Sequence, residues 1–136
     1  MDPRVRERRR QEIVRLCHAG HDLATLFQEM GRVLRRAIPF DAACFHTMDP
    51  ATLLETSHVV ENLPVENPLA TEIEYLHDDY NQFATLARAQ RKSGVLSQAT
   101  GGAPERSRRY RELIRPFGLE ESYAQPSSPT RRAGAR

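Results

Sequence analysis

Residues 41–60 read DAACFHTMDPATLLETSHVV, and the fold class turns on this stretch. Asp49-Pro50-Ala51-Thr52 places turn formers between two runs, 41–48 and 53–60. Each run is short and rich enough in β-formers to be a strand. Alternation in the first is weak, with Ala42, Cys44 and Met48 on one side and Ala43, Phe45 and Thr47 on the other. Weak alternation with few charges predicts a sheet covered on both faces.

Helices flank this pair. Upstream, Asp2-Pro3 is a helix start, with Asp2 as cap and Pro3 in the first turn, where its missing N–H costs nothing. Val5, Ile13, Leu16 and Cys17 make a sparse apolar stripe, and Gly20 is the stop. Asp22 caps a second helix whose Leu23, Leu26, Phe27, Met30, Val33, Leu34 and Ala37 recur in threes and fours, until Pro39 ends it. Downstream, Glu61–Pro68 is a loop rich in turn formers. A third helix is predicted over about 69–87, with Leu69, Ile73, Leu76, Tyr80 and Phe83 on one face. Gly94-Val95-Leu96 reads as a short third strand. Pro104 opens a fourth helix that buries Tyr110, Leu113, Ile114 and Phe117 and is capped by Gly118. Beyond Glu121 no apolar period remains, and residues 122–136 read as a disordered tail.

Composition narrows the function classes. A chain of 136 residues has room for one domain that buries roughly two-thirds of its surface. With neither a membrane-spanning run nor a secretory signal, it reads as cytoplasmic. Cys17 and Cys44 lack metal-site spacing and are expected to be buried thiols, not a disulfide. The net charge of +2 hides a pattern. Residues 1–20 carry six Arg against three acids, residues 21–87 three against eleven, and residues 88–136 eleven basic groups against four. The acidic middle repels phosphate, and the basic stretches 4–10 and 106–115 belong to no helix-turn-helix pair or zinc finger. Direct DNA contact by this chain is not expected.

No catalytic or metal set assembles from the sequence. Cys17-His18-Ala19-Gly20-His21 straddles a helix end, so its side chains diverge. In His77-Asp78-Asp79, consecutive helix residues point about 100° apart, and a solvated face is the simpler reading. Ser93, Ser97 and Ser107 have no nucleophile-elbow context, and Thr100-Gly101-Gly102 has no phosphate-loop lysine. The chain is not expected to be an enzyme or to need a cofactor.

Read as a string, the chain resembles the amino-terminal region of LuxR-type helix-turn-helix transcription regulators from high-GC bacteria. The matching stretches are 14–20 (VRLCHAG), 38–43 (IPFDAA), 49–54 (DPATLL), 78–84 (DDYNQFA), 99–102 (ATGG) and 106–116 (RSRRYRELIRP). Their order and spacing cover most of residues 1–121. The resemblance implies an α+β, GAF-like sensor fold: a short antiparallel sheet flanked by helices, with a small-molecule pocket on one side. A DNA-reading domain would follow. In place of the bulky pair often found in the first strand this chain has Cys44-Phe45, so the family's pocket contents do not carry over.

On this reading residues 1–121 are an incomplete GAF-like sensor region that lacks the later strands. With suitable synonymous codons, Ser122–Pro129 read two bases on becomes Leu-Arg-Ala-Ala-Phe-Val-Ala, a strand-forming run. The expectation is a tail, 122–136, translated in a shifted frame. Phe45, Tyr80 and Phe83 are the expected ligand-binding residues, since aromatic walls suit effector pockets. The expected partners are a small-molecule effector and either a second copy or a full-length regulator. The other reading is a stand-alone interaction module that pairs with such regulators, its short sheet leaving an open edge.

Overall fold

The computed structural model of the protein describes residues 1–63 and 68–126. Of the stretches discussed above, residues 64–67 of the loop and residues 127–136 of the tail lie outside them. The chain is α+β, with two small antiparallel sheets. The contacts group into two compact units: Met1–Met48 with Glu55–Val65, and Asp49–Leu54 with Glu66–Arg136. Among the described residues no helix is long and apolar enough to cross a membrane.

The first unit is a helix pair and a hairpin. Helix α1 spans Pro3–His18, capped by Asp2, whose Oδ1 accepts from the Arg4 N–H at 2.8 Å. Helix α2 spans Leu23–Ala37, and the Thr25 N–H donates to Asp22 Oδ1 at 2.8 Å. Both caps satisfy N–H groups that the first turn leaves without intrahelical partners. Strand β1, Ala43–Met48, pairs antiparallel with β2, Glu55–Glu61, putting Cys44 opposite Val60 and His46 opposite His58. The register slips between Thr47 and Met48.

Aromatic stacking joins the layers: the Phe27 and Phe45 ring centroids are 5.3 Å apart with planes at 20°. Gly31 lets α2 come this close. A Cβ there would lie 2.8 Å from Glu61 Oε2 and 3.5 Å from the Phe45 ring. Arg35 ties the helix end to the strands, pairing with Glu61 at 2.5 Å and lying 4.6 Å over the Phe40 ring. The sheet is covered on this face, not on both as its weak alternation predicts, since Cys44 and His58 on the other side are exposed.

The second unit departs from the predicted single helix over 69–87. Helix α3 spans Pro68–Tyr75 and α4 spans Phe83–Arg88. Between them Leu76 is 76% exposed and Asn81 takes φ 55°, a left-handed conformation that no helix continues. Side chains of the break serve distant backbone. Gln82 Nε2 donates to the carbonyls of Ile73, Glu74 and His77 at 3.0, 3.1 and 2.5 Å, closing the carboxyl end of α3. Ile73 beneath it is fully buried.

Strand β3, Gly94–Val95, pairs with β4, Tyr123–Ala124, and is followed by the short helix α5, Leu96–Ala99. The tail read as disordered from residue 122 thus begins with a strand. The Leu96 N–H donates to the Ser122 carbonyl at 2.9 Å, and Ala124 is buried.

The predicted fourth helix is less regular than its period suggests. A 3-10 turn at Pro104–Arg106 leads to Ser107, whose Oγ accepts from the Tyr110 N–H at 3.2 Å as an amino-terminal cap. Residues Tyr110–Ile114 form a wide π-type turn, and Arg115–Phe117 tighten again. Pro116 supplies the reason: it has no N–H to give and its ring crowds the carbonyl four residues back. The Leu119 N–H reaches the Ile114 carbonyl and the Gly118 N–H the Arg115 carbonyl, the double closure of a Schellman end. Ile114 is buried as expected, whereas Phe117 is 45% exposed.

Candidate functional site

Partners across an antiparallel pair project to the same side. Because Phe45 faces α2, its neighbours Cys44 and His46 face away from it, with Val60 and His58 beside them. Glu55 joins this outer face through the register slip. Its Oε1 lies 2.6 Å from His58 Nδ1, a hydrogen bond, and its Oε2 lies 2.8 Å from His46 Nδ1, so one carboxylate sits against two imidazoles. The rings stand 6.1 Å apart. Their side chains are 20% and 35% exposed and that of Glu55 22%, so the cluster is half-buried yet open to a partner.

An imidazole oriented by a carboxylate is one part of a general base, and it needs a nucleophile or a substrate proton to act on. Cys44 is the nearest nucleophile by register. Burial of its sulfur, and after that the negative charge of Glu55, push the thiol up to about 11. It stays protonated at neutral pH, the opposite of an activated cysteine. Among the described residues no group of three His, Cys, Asp or Glu side chains is arranged to hold a metal ion.

The expected pocket residues fall differently. Phe45 spends its ring on Phe27, in the packing between α2 and the hairpin. Tyr80 and Phe83 belong to the second unit, where both are half-buried. The Phe83 N–H donates to Glu74 Oε1 at 2.5 Å as α4 begins. Both cysteines are free, and both residues are exposed where burial was expected, although the Cys44 sulfur itself is partly shielded. His77 Nε2 sits 2.9 Å from Glu72 Oε1 on an exposed surface. The hydrogen bond from His77, with help from Arg108, holds the Glu72 carboxyl below its ordinary range.

Sequence reasoning weighed His18, His21 and His77 and passed over His46 and His58. Strand parity, which puts His46 on the side of Cys44, is readable from sequence; the partner is not, since a turn confined to 49–52 sets residue 55 opposite residue 46, where the structure has His58.

Comparison with protein-family models, curated proteins and solved structures returns no match.

Two concavities lie on the helix pair. The larger, about 680 Å³, is an open furrow along α1 lined by Pro3, Arg4, Glu7, Arg8, Gln11 and Arg15 among others. The smaller, about 210 Å³, lies between α1 and α2, with Leu16, Ala19 and Val33 below and Arg15, Arg32, Arg36 and the carboxylate of Glu12 around it.

Proposed function

We propose that this chain is a sensory and pairing region of a LuxR-type transcription regulator, which works by binding and not by catalysis. One observation carries the reading: stretches that resemble the family, far apart in sequence, interlock in the second unit. Asp79 Oδ2 accepts from Ser107 Oγ at 3.1 Å and from the Arg109 N–H at 2.8 Å. Arg109 in turn reaches Glu74 at 2.5 Å, with the Glu74 side chain only 9% exposed. Thr100, from a third such stretch, is 1% exposed and donates to the Leu96 carbonyl at 2.9 Å. Residues spent on capping and crossing backbone segments support a shared scaffold. The protonated Cys44 and doubly engaged Glu55 support binding over catalysis.

The mechanism of such a region is a shift of populations. A ligand or partner that prefers one arrangement of the chain biases the regulator it is attached to or paired with. The test uses the purified chain and a full-length regulator that carries the same stretches. Light scattering on each alone and on the mixture, followed by a DNA mobility shift, should show a mixed species and altered DNA binding by the regulator. The reading is sunk if the two never associate and the mobility shift is unchanged, or if the chain by itself shifts DNA.

A second reading, a stand-alone interaction module, draws on α1. That helix has no buried residue, and Val5 and Val14 are 38% and 43% exposed. Self-association of the isolated chain with no effect on any regulator would favour it.

A further inference from the structure

The cleft between α1 and α2 joins an apolar floor to a cationic rim within one unit. Val33 is 3% exposed and Leu16 half-buried, and together with Ala19 they form the floor. Arg15, from α1, and Arg32 and Arg36, one turn apart on α2, stand at the rim. Two carboxylates oppose these three guanidiniums. Glu29 holds Arg32 at 2.5 Å, and Glu12, already paired with Arg9 at 2.7 Å, lies 3.9 Å from Arg36. Among the described residues Arg15 has no carboxylate within 4 Å, although Glu12, itself part of the cleft lining, is near enough to feel its charge. The rim thus keeps a surplus of one positive charge above a floor that gains by losing water.

From this we infer that the cleft is a binding site for a small monocarboxylate with an apolar body. The carboxylate would engage Arg15 and Arg36, and the hydrocarbon or ring would lie on Leu16, Ala19 and Val33. A volume of about 210 Å³ is below the ~300–1,000 Å³ of drug-sized sites, which sets the size class to a medium-chain fatty acid or a single-ring aromatic acid. This site lies on the helix pair, away from the outer face of the hairpin, and stands whether or not the regulator reading holds.

Titration of the full 136-residue chain with octanoate and with benzoate, followed by amide NMR, tests it. Saturable shifts centred on Leu16, Ala19 and Val33 are expected, with octanol (no charge) and acetate (no body) each at least ten-fold weaker. Arg15→Gln and Arg36→Gln should each weaken octanoate binding several-fold, and added salt should weaken it further. Both side chains are at the surface, so a circular dichroism spectrum matching the parent's serves as the folding control. Ala19→Leu fills the cleft without touching a charge and should block binding. The inference is overturned if no saturable shift occurs, if shifts map elsewhere, or if Ala19→Leu and the arginine variants bind as the parent does.

Discussion

The carboxylate of Asp79 accepts the backbone N–H of Arg109, thirty residues further on, at 2.8 Å. This bond supplements the Ser107 cap with a second acceptor from a distant segment, so two stretches of sequence share one helix start. Asp79→Ala should therefore destabilise the second unit by roughly 1–3 kcal/mol, the cost of leaving partly buried donors without an acceptor. Asp79→Asn keeps an oxygen and should cost less. Urea unfolding followed by circular dichroism measures both, and equal stability of Asp79→Ala and the parent would refute the role.

Gly94 and Asn81 make a second such coupling. A Cβ on residue 94 would lie 2.3 Å from Asn81 Oδ1 and 2.5 Å from its Cγ. Gly94→Ala should cost about 1–3 kcal/mol by overpacking. Asn81→Gly should be nearly neutral alone, because φ 55° suits glycine, and should recover most of the loss in the double variant. Additive effects of the two changes would show that the clash does not set the cost.

These couplings explain what the sequence made legible and what it did not. Local signals were readable: the caps Asp2 and Asp22, the three-four period of α2, and the turn after Met48. The division of 69–87 was not, because the periodicity of Leu69, Ile73, Leu76, Tyr80 and Phe83 runs through the break. What stops the helix is Asp79 accepting from Arg109, Asn81 in a left-handed conformation against Gly94, and Gln82 closing the carboxyl end of α3. Two-residue strands such as Tyr123–Ala124 have no period to read, and only the pairing with Gly94–Val95 defines them. At the candidate site, strand parity put Phe45 and Cys44 on opposite faces, but the partner of each face is a tertiary fact. His46 and His58 meet through a register that slips at Thr47, and no residue pattern shows that slip.

Cys44 should react slowly for a surface cysteine. Burial of the sulfur, then the Glu55 charge, raises its pKa from the usual 9.0 to about 11, which at pH 8 lowers the thiolate fraction about 100-fold. In a Cys17→Ser background, iodoacetamide should alkylate the native chain far more slowly than the urea-unfolded chain. Glu55→Gln should speed the native reaction by removing the lesser of the two causes. Equal native and unfolded rates would count against this account of the outer face.

Acid should loosen α1 in a defined window. The hydrogen bond from Arg10, then that from Gln11, holds the Glu7 carboxyl at about 2 against an ordinary 4.5. Arg9 lowers Glu12, and the Thr25 backbone N–H lowers Asp22 at the start of α2. Each folded-state pKa is depressed, so each contribution is complete above the ordinary carboxylate value. It is lost as pH falls through the folded value. Helicity by far-ultraviolet circular dichroism should hold above about pH 5 and decline towards pH 2. The decline should be modest because these pairs are solvent-exposed, and salt should flatten it. Glu7→Gln should start from lower helicity at neutral pH and lose less on acidification. A Glu7→Gln chain that titrates like the parent would place the acid sensitivity elsewhere, with Glu121, which the Ser97 and Ser122 N–H groups lower against the opposing effect of burial, as the next group to change.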